Sequence, residues 1–221
     1  LIEGSGNLYW NKGMRLAWEI ANETDNYDFF VWLNDDTIVD NSSIDQLLDC
    51  YLEYKDQTQK ESIIIGSIRN DNKSNNFSYG LRSDNKKIIP NNFLQFGNLC
   101  NGNLVLISKS VFFKLGYLSE NYTHSMGDYD YGLRAIENGI NLLSSKTYLA
   151  TCPLNIGIAI WCNPKYKLID RWNSFHSPLG LNIKEYKYFV RRFNSNKYFL
   201  VILNVYLKCL FPSIFKIFNK I

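Results

Sequence analysis

Two adjacent carboxylates, Asp35 and Asp36, follow Asn34 at the end of the apolar, aromatic segment 28–33. Such a segment is typical of a central strand buried on both faces, and open α/β sheets bind ligands just beyond the carboxyl ends of their strands. Adjacent carboxylates repel each other unless a cation or a proton lies between them, and their oxygens suit Mg²⁺ or Mn²⁺. The segment therefore predicts either a metal site or a solvated turn, because Asp and Asn are also common turn formers.

A second acidic group begins a segment with helical spacing. Asp128 and Asp130 fall in its first turn, where the helix dipole favours negative charge, and Gly139 ends it. A carboxylate there could act as a general base for a hydroxyl within hydrogen-bond reach, or it could simply cap the helix. Arg134 lies on the same segment and is predicted to form a structural ion pair.

Alternating helices and strands would hold these acids in place, which predicts an α/β fold with a mainly parallel sheet. Asn11 and Ser42 stand where they could cap the first two helices. A polar stretch predicts a hairpin that turns near Asp84 and Asn85. The predicted helices lie at 7–22, 43–55, 109–115, 127–139, 183–194 and 197–219, and the predicted strands at 28–33, 62–67, 103–108 and 146–150.

The composition is that of an ordinary globular protein. The 221 residues are 46% hydrophobic and 20% charged, and the net charge of +3 is too small to indicate nucleic acid binding. Five cysteines form no CxxC pair, which argues against zinc and a disulfide framework and favours a reducing cytoplasm. Residue 1 is Leu and no signal-like segment follows it, so we expect a chain cut at its N-terminus.

Four motifs resemble the family 2 glycosyltransferases of the GT-A fold, closest to the bacterial branch with rhamnosyltransferase-like enzymes of surface polysaccharide synthesis. They are, in order, GNLYWNKGMRLAW, FFVWLNDDTIV, NGNLVLISKSVFFKLGYLSE and MGDYDYGLRAIENG, and the resemblance covers residues 3–150. It implies an inverting enzyme that moves a sugar from a nucleoside-diphosphate sugar, such as a UDP- or dTDP-sugar, to a glycan or lipid-linked acceptor. It also implies a Rossmann-like mixed, mainly parallel sheet flanked by helices, whose first strand–helix–strand unit is missing here. We expect a chain without that unit to bind donor poorly and to aggregate.

The resemblance implies a role for each matched residue. Asp36 would bind Mg²⁺ or Mn²⁺, with Asp35 as a secondary ligand, and Asp128 would be the catalytic base. Asn34 stands where the family has the first acid of its Asp-x-Asp motif, so it would contact the donor or reach the metal through water. The other matched positions would bind substrates: Asn11 and Lys12 near the nucleotide, Asn101 and Asn103 on the sugar and acceptor side, and Asp130 beside the base.

Several aromatic and imidazole side chains have alternative roles. His176 could be a third metal ligand, although a lone His among aromatic residues is more often packed or at the surface. His124 could touch the acceptor. Trp161 and Trp172 could stack on sugar rings or pack in a core.

The chain is predicted to divide into a catalytic domain, 1–178, and a helical C-terminal extension, 179–221. The longest apolar run of this extension, 198–207, is shorter than the roughly 20 residues that span a bilayer. It predicts a helix that lies on the inner membrane surface, or one that packs on the core or on a partner. The protein is therefore expected in the cytoplasm or at the inner face of the cytoplasmic membrane. The basic residues available for anionic lipid are Arg191, Arg192, Lys197, Lys208, Lys216 and Lys220.

Two other functions stay open. A phosphatase-like α/β enzyme would use Asp35 or Asp36 as nucleophile, but Asp35-Asp36-Thr37 lacks the Asp-x-Asp-x-Thr spacing that such enzymes need. A non-enzymatic or degenerate membrane-associated fragment would fit the missing start and the C-terminal extension.

Overall fold

The computed structural model of the protein describes residues 3–71, 73–84 and 86–213. Asn85, Lys216 and Lys220, and the last part of the helix predicted at 197–219, lie outside the described residues.

The described residues form a mixed α/β structure. Its α-helices are α1 (Tyr9–Thr24), α2 (Ser43–Thr58), α3 (Lys109–Leu115), α4 (Gly127–Glu137), α5 (Leu168–His176), α6 (Ile183–Phe193) and α7 (Tyr198–Leu210). Its strands are β1 (Phe29–Leu33), β2 (Ile38–Val39), β3 (Ser62–Asp71), β4 (Ser74–Tyr79), β5 (Arg82–Ser83), β6 (Lys86–Lys87), β7 (Phe96–Gly97), β8 (Leu104–Ser108) and β9 (Asn141–Thr151).

The main sheet has the strand order β1-β8-β3-β9-β2, with β4 added beside β3 and β7 beside β9. Among the described strands only β3 and β9 pair in parallel, and the other pairings are antiparallel. An α/β fold with a mixed sheet flanked by helices is thus confirmed, but the prediction that the sheet is mainly parallel is wrong. The reason is that the described residues between β3 and β8 contain no helix, so no helical crossover makes β8 a parallel neighbour of β3.

Strand β1 lies at one edge of this sheet, where β8 is its partner among the described strands. Phe30 and Trp32 are buried, whereas Val31 is 36% exposed and Leu33 is 42% exposed. The prediction of a central strand buried on both faces is therefore wrong. A short run of large apolar residues does not reveal how many neighbours the strand has.

Two predicted helix caps are also wrong. Helix α1 begins at Tyr9, so Asn11 lies inside its first turn and no side chain caps the helix. Ser42 does precede α2, but it has a left-handed backbone and its hydroxyl donates to Asn41 O at 2.5 Å. Neither side chain accepts from a helical N–H group.

Other local predictions are confirmed. The strands expected at 62–67, 103–108 and 146–150 correspond to β3, β8 and β9, and the helices expected at 109–115, 127–139 and 183–194 correspond to α3, α4 and α6. Ser108 caps α3 by accepting from Val111 N–H, and Gly116 follows with φ +70°. Strands β5 and β6 pair around Asp84, which confirms a hairpin there.

Hydrophobic clusters cover both faces of the sheet. One cluster lies under α1, α3 and α4 and is built around Trp18 and Trp32, whose rings are 5.5 Å apart. The other lies under α2 and includes Leu47, Ile64 and Leu143. These two layers hold the ends of β1, α1 and α4 in fixed positions.

Helices α5, α6 and α7, called here the helical unit, share a third cluster that includes Phe175, Val190 and Ile202. Glu185 of α6 joins this unit to the sheet region, because its carboxylate accepts from both the N–H (2.9 Å) and the hydroxyl (2.6 Å) of Thr123. The domain division near residue 178 stays a prediction. None of the helices in the described ranges is long and apolar enough to cross a membrane.

Candidate functional site

An open cleft of about 810 Å³ lies at the carboxyl end of β1. It is bounded by the start of α1, the turn after β1, the segment before β8 and the start of α4. Its lining residues are Tyr9, Trp10, Gly13, Met14, Leu33, Asn34, Asp35, Asp36, Tyr79, Asn101, Gly102, Asn103, His124, Ser125, Met126, Asp128, Tyr129 and Asn155. Both acidic groups singled out from the sequence thus contribute to one cavity.

The residues Asn34, Asp35, Asp36 and Thr37 form a turn, called here the acid turn, which Thr37 N–H closes by donating to Asn34 O at 3.1 Å. Asp35 and Asp36 occupy its corners and are exposed. Buried Asn103 holds both ends of the turn: its carbonyl accepts from Asn34 N–H at 3.0 Å, and its Nδ2 donates to Thr37 Oγ1 at 3.2 Å. The two carboxylates are therefore presented by a braced turn.

Trp10 connects α1 to the acid turn. Its Nε1 donates to Asn34 Oδ1 at 2.6 Å, so the side-chain oxygen of Asn34 is already engaged within the protein. The indole also lies over Gly102, where an added Cβ would come within 2.3 Å of the ring. Only glycine leaves room for this contact.

Asp128 lies in the first turn of α4 and is partly buried. Its Oδ2 accepts from Gly102 N–H at 3.0 Å and its Oδ1 from Tyr129 N–H at 2.9 Å. Burial raises the pKa of Asp128 to about 6, although these two main-chain donors act in the opposite direction. Such a carboxyl group is mostly ionised at neutral pH and is a stronger base than an ordinary aspartate, which suits proton removal from a hydroxyl.

His124 also lines the cleft. Its Nδ1 accepts from Trp10 N–H at 3.3 Å, so in the neutral ring the proton is on Nε2. Burial lowers the pKa of His124, which favours this neutral form. Tyr9 packs edge-on against the imidazole at 6.1 Å and has φ +55°, an unusual backbone conformation for a residue with a side chain.

Asn11 and Lys12 do not line the cleft. Asn11 is fully buried, and its Nδ2 donates to Ser119 O at 2.9 Å and to Tyr122 O at 2.7 Å. Lys12 is exposed on the surface of α1. The side chain of Asn11 therefore fastens α1 to the segment before α4, which corrects its expected nucleotide contact, whereas the contact expected of exposed Lys12 stays a prediction.

Asp130 also has an internal role. It is buried, its carboxylate forms an ion pair with Arg134 at 2.7 Å, and it accepts from Tyr122 OH at 3.2 Å. Arg134 further donates to the carbonyl groups of Leu115 and Tyr117. The structural ion pair predicted for Arg134 is confirmed, and the expectation that Asp130 binds substrate is corrected, because its oxygens are engaged in the interior.

His176 and Trp161 belong to the helical unit and its neighbouring turn, not to the cleft lining. His176 Nδ1 lies 2.8 Å from Trp172 O, and Trp161 packs against Phe175 with ring centroids 5.9 Å apart. The expectation that His176 completes a metal site with Asp36 is corrected by this position. Within the described ranges, no three His, Cys, Asp or Glu side chains come together as a metal site.

Sequence reasoning missed several cleft residues, above all Trp10. It selected Asn11 and Lys12 from the same motif, but successive residues of a helix point about 100° apart, so a shift of one position separates the cleft from the core. Tyr79 and Asn155 come from distant segments that meet where Asn155 N–H donates to Tyr79 OH at 3.0 Å. No local pattern in the sequence predicts this contact.

Compared with known proteins, the chain matches no family model and no curated relative. A functional assignment therefore depends on the chemistry of the cleft.

Proposed function

We propose that this chain is the catalytic domain of an inverting glycosyltransferase of the GT-A fold that uses a nucleoside-diphosphate sugar and a divalent metal ion. The observation that supports the proposal is one cleft with two unlike acidic sites. The acid turn offers two exposed carboxylates, and Asp128, which lines the same cleft, is a partly buried carboxyl group with a pKa raised to about 6.

Asp128 fits the role of general base. Its oxygens are oriented by the N–H groups of Gly102 and Tyr129, and its side chain lines the cleft. It would take the proton from an acceptor hydroxyl while that oxygen attacks the anomeric carbon of the donor. The bond from that carbon to the diphosphate breaks in the same step, and the configuration inverts.

The residues of the acid turn fit a divalent cation that takes most of its ligands from substrate and water. Asp35 and Asp36 are both exposed to the cleft, and one or two carboxylates plus phosphate oxygens are the usual set for Mg²⁺. Asp36, with Asp35 beside it, would hold the ion. When bound, Mg²⁺ or Mn²⁺ supplies positive charge to the departing diphosphate.

The rest of the cleft favours a sugar-nucleotide ligand. Its volume of about 810 Å³ lies within the usual range for small-molecule sites, and Tyr9, Trp10 and Tyr129 offer aromatic surface. Asn101 offers an amide to hydroxyl groups, whereas Asn103 acts by holding the acid turn. A UDP- or dTDP-sugar donor and a glycan or lipid-linked acceptor are part of the proposal.

The test measures release of nucleoside diphosphate from a panel of UDP-, dTDP- and GDP-sugars with Mn²⁺. It uses the 221-residue chain itself. Asp36→Asn and Asp128→Asn are each expected to lower turnover by about 10²-fold or more. Asp45→Asn, which removes the same charge from an exposed position on α2, is the matched control and should retain turnover.

Turnover that survives both cleft variants would show that the site is elsewhere. Hydrolysis of a simple phosphate ester that depends on Asp36 would replace the proposal by a phosphatase. Absence of release from every donor, with binding of none of them by calorimetry, would favour a non-enzymatic protein.

A further inference from the structure

Helix α7 is apolar on both of its sides. Ile202, Val205 and Cys209 face the third hydrophobic cluster and are buried. On the other side, large apolar side chains remain exposed. They are Phe199 (84%), Leu200 (71%), Leu203 (56%), Leu207 (37%) and Leu210 (37%).

The exposed residues of α7 form a stripe along the helix. Phe199, Leu203, Leu207 and Leu210 follow one another at intervals of four, four and three, which places them on one face. With about 100° between successive residues, the centre of this face lies about 120° around the helix from that of the buried one. An isolated exposed Leu needs no explanation, but a continuous stripe marks an interaction surface.

Helix α6 carries a basic stripe beside it. Lys184, Lys187 and Arg191 are spaced at i, i+3 and i+7 and so share one face of α6. Lys187 Nζ donates to Tyr206 OH at 3.0 Å, and the Arg191 guanidinium lies over the ring of Tyr198 at 5.2 Å. The basic stripe of α6 therefore runs along the flank of α7.

Helix α5 adds apolar surface on the same part of the molecule. Leu168 and Ile169 are exposed there. Buried Arg171 donates to Cys209 O at 2.8 Å, which holds the start of α5 against the end of α7. Trp172 lies 6.3 Å from the ring of Tyr206.

Positive charge is concentrated in the part of the chain that contains α5, α6 and α7. Residues 1–152 contain 13 Lys and Arg against 19 Asp and Glu, whereas residues 153–221 contain 11 against 2. The two acids are Asp170 on α5 and Glu185 on α6, and Glu185 is already engaged by Thr123, so the positive charge of the helical unit exceeds its negative charge. An anionic surface is the complement of this arrangement.

We propose that the apolar stripe of α7 and the basic stripe of α6 together form a docking face for an anionic bilayer surface, with α7 lying in the plane of the headgroups. Apolar side chains would enter the boundary between headgroups and acyl chains, while the basic side chains contact anionic lipid. At 13 residues, α7 is too short to span a bilayer but long enough to lie on one. This inference is independent of the proposed transferase, because it concerns binding without donor or acceptor.

The test is co-sedimentation of the full chain with vesicles of phosphatidylcholine alone or with added phosphatidylglycerol. The wild type is expected to bind the anionic vesicles and to be released by high salt. Phe199→Ser/Leu203→Ser is expected to weaken binding about tenfold or more, since two large apolar side chains lose their burial in lipid. Lys184→Gln/Arg191→Gln should weaken binding to anionic vesicles by about tenfold and change little with phosphatidylcholine alone.

Phe113→Ser is the matched control, because Phe113 is also an exposed aromatic residue on a helix, α3, in the sheet region. It should bind like the wild type. Circular dichroism spectra are recorded for every variant. Spectra that match the wild type show that the variant is folded, so that a loss of binding is not a loss of folding. Wild-type protein that stays in the supernatant with both vesicle types would overturn the proposal. So would a dimer in solution that Phe199→Ser/Leu203→Ser dissociates, because the face would then bind a second copy.

Discussion

Trp10 and Asn34 are joined by a hydrogen bond of 2.6 Å, in which the indole Nε1 donates to the side-chain oxygen. This bond connects the first turn of α1 to the turn that carries the two exposed carboxylates. The same indole lies over Gly102, whose N–H group donates to Asp128. One side chain thus contacts the supports of both acidic sites in the cleft.

Trp10→Phe should keep an aromatic ring at this position and remove the donor to Asn34. We expect kcat/KM for nucleoside-diphosphate release to fall about tenfold, because one hydrogen bond of roughly 1 kcal/mol no longer orients the acid turn. Kinetics with varied donor concentration measure this effect. Trp172→Phe, the same change outside the cleft, should leave kcat/KM unaltered. Equal kinetics for Trp10→Phe and wild type would mean that the hydrogen bond positions nothing that matters to turnover.

Gly102→Ala should disturb both acidic sites. The new Cβ would approach the Trp10 ring to 2.3 Å and the Asp128 Cβ to 3.3 Å, so the indole or the backbone must move. We expect a loss of about 1–3 kcal/mol in the free energy of unfolding, measured by urea titration, together with loss of turnover. Gly157→Ala is the control, since its Cβ would meet no atom within 4 Å. A Gly102→Ala protein as stable as Gly157→Ala would show that the cleft can adapt.

The pKa of about 6 at Asp128 predicts the pH dependence of turnover. Activity should rise with pH and level off above about pH 6, because only the ionised carboxylate can accept a proton. The measurement is the pH profile of kcat/KM, compared with that of a non-cleft variant such as Asp45→Asn. A profile that is flat from pH 4.5 to pH 8 in ~0.5-unit steps would exclude Asp128 as the base.

The same raised pKa predicts an effect on stability of the opposite sign. A carboxyl group whose pKa is higher in the folded state stabilises the fold most when protonated, and this contribution is lost as the pH rises through about 6. The free energy of unfolding of the wild type, taken relative to that of Asp128→Asn, should therefore be lower at pH 8 than at pH 5. The change should be at most about 2 kcal/mol, because the side chain is only partly buried. Urea titrations of both proteins at both pH values measure this change. If the wild type were less stable relative to Asp128→Asn at pH 5 than at pH 8, the raised pKa would be contradicted.

Asn11 and its neighbour Lys12 should differ sharply on substitution. Asn11→Ala leaves the partly buried carbonyl group of Ser119 and the buried one of Tyr122 without this donor, which should lower the free energy of unfolding by about 2–3 kcal/mol. Lys12→Ala, at an exposed position, should change it by less than about 0.5 kcal/mol. Thermal or urea unfolding of both variants gives the comparison. Similar stabilities would remove the structural role of Asn11.

Arg134 and Arg192 provide a second matched pair. Arg134→Met would leave Asp130 buried without its ion-pair partner, which should lower the free energy of unfolding by about 3–5 kcal/mol. Arg192→Met breaks an exposed pair with Glu137 and should cost less than about 1 kcal/mol. Unfolding titrations distinguish the two. If the free energy of unfolding fell by the same small amount in both variants, the buried ion pair would stabilise the fold no more than the surface pair.

Local pattern was sufficient to predict most elements of the fold. Strand β8 is a continuous apolar run, and α3 has a capping serine before it and a glycine after it, so their bounds can be found without knowledge of their neighbours. The place of β1 in the sheet could not be found in this way. Its residues 29–33 have the composition of a central strand, yet pairing is decided by segments far away in sequence.

The candidate site shows the same limit at the scale of single residues. Asp36 and Asp128 could be selected as candidates because acidic residues follow a strand and begin a helix, and the structure brings both to one cleft. Trp10 could not, because an aromatic residue in an apolar helix looks like core. His176 was selected by its residue type, but only the packing of α5 against α7 determines its distance from the acid turn.

The two hydrogen bonds from Thr123 to Glu185 make α6 and the rim of the cleft mechanically continuous, since His124 directly follows Thr123. A displacement of α6 against a lipid surface would be transmitted to the imidazole through this carboxylate. Coupling of this kind is reciprocal: the factor by which vesicles change the affinity of the cleft for a ligand is the factor by which that ligand changes the affinity for vesicles. Glu185 would then be the residue through which ligand binding in the cleft and lipid binding at α6 affect each other.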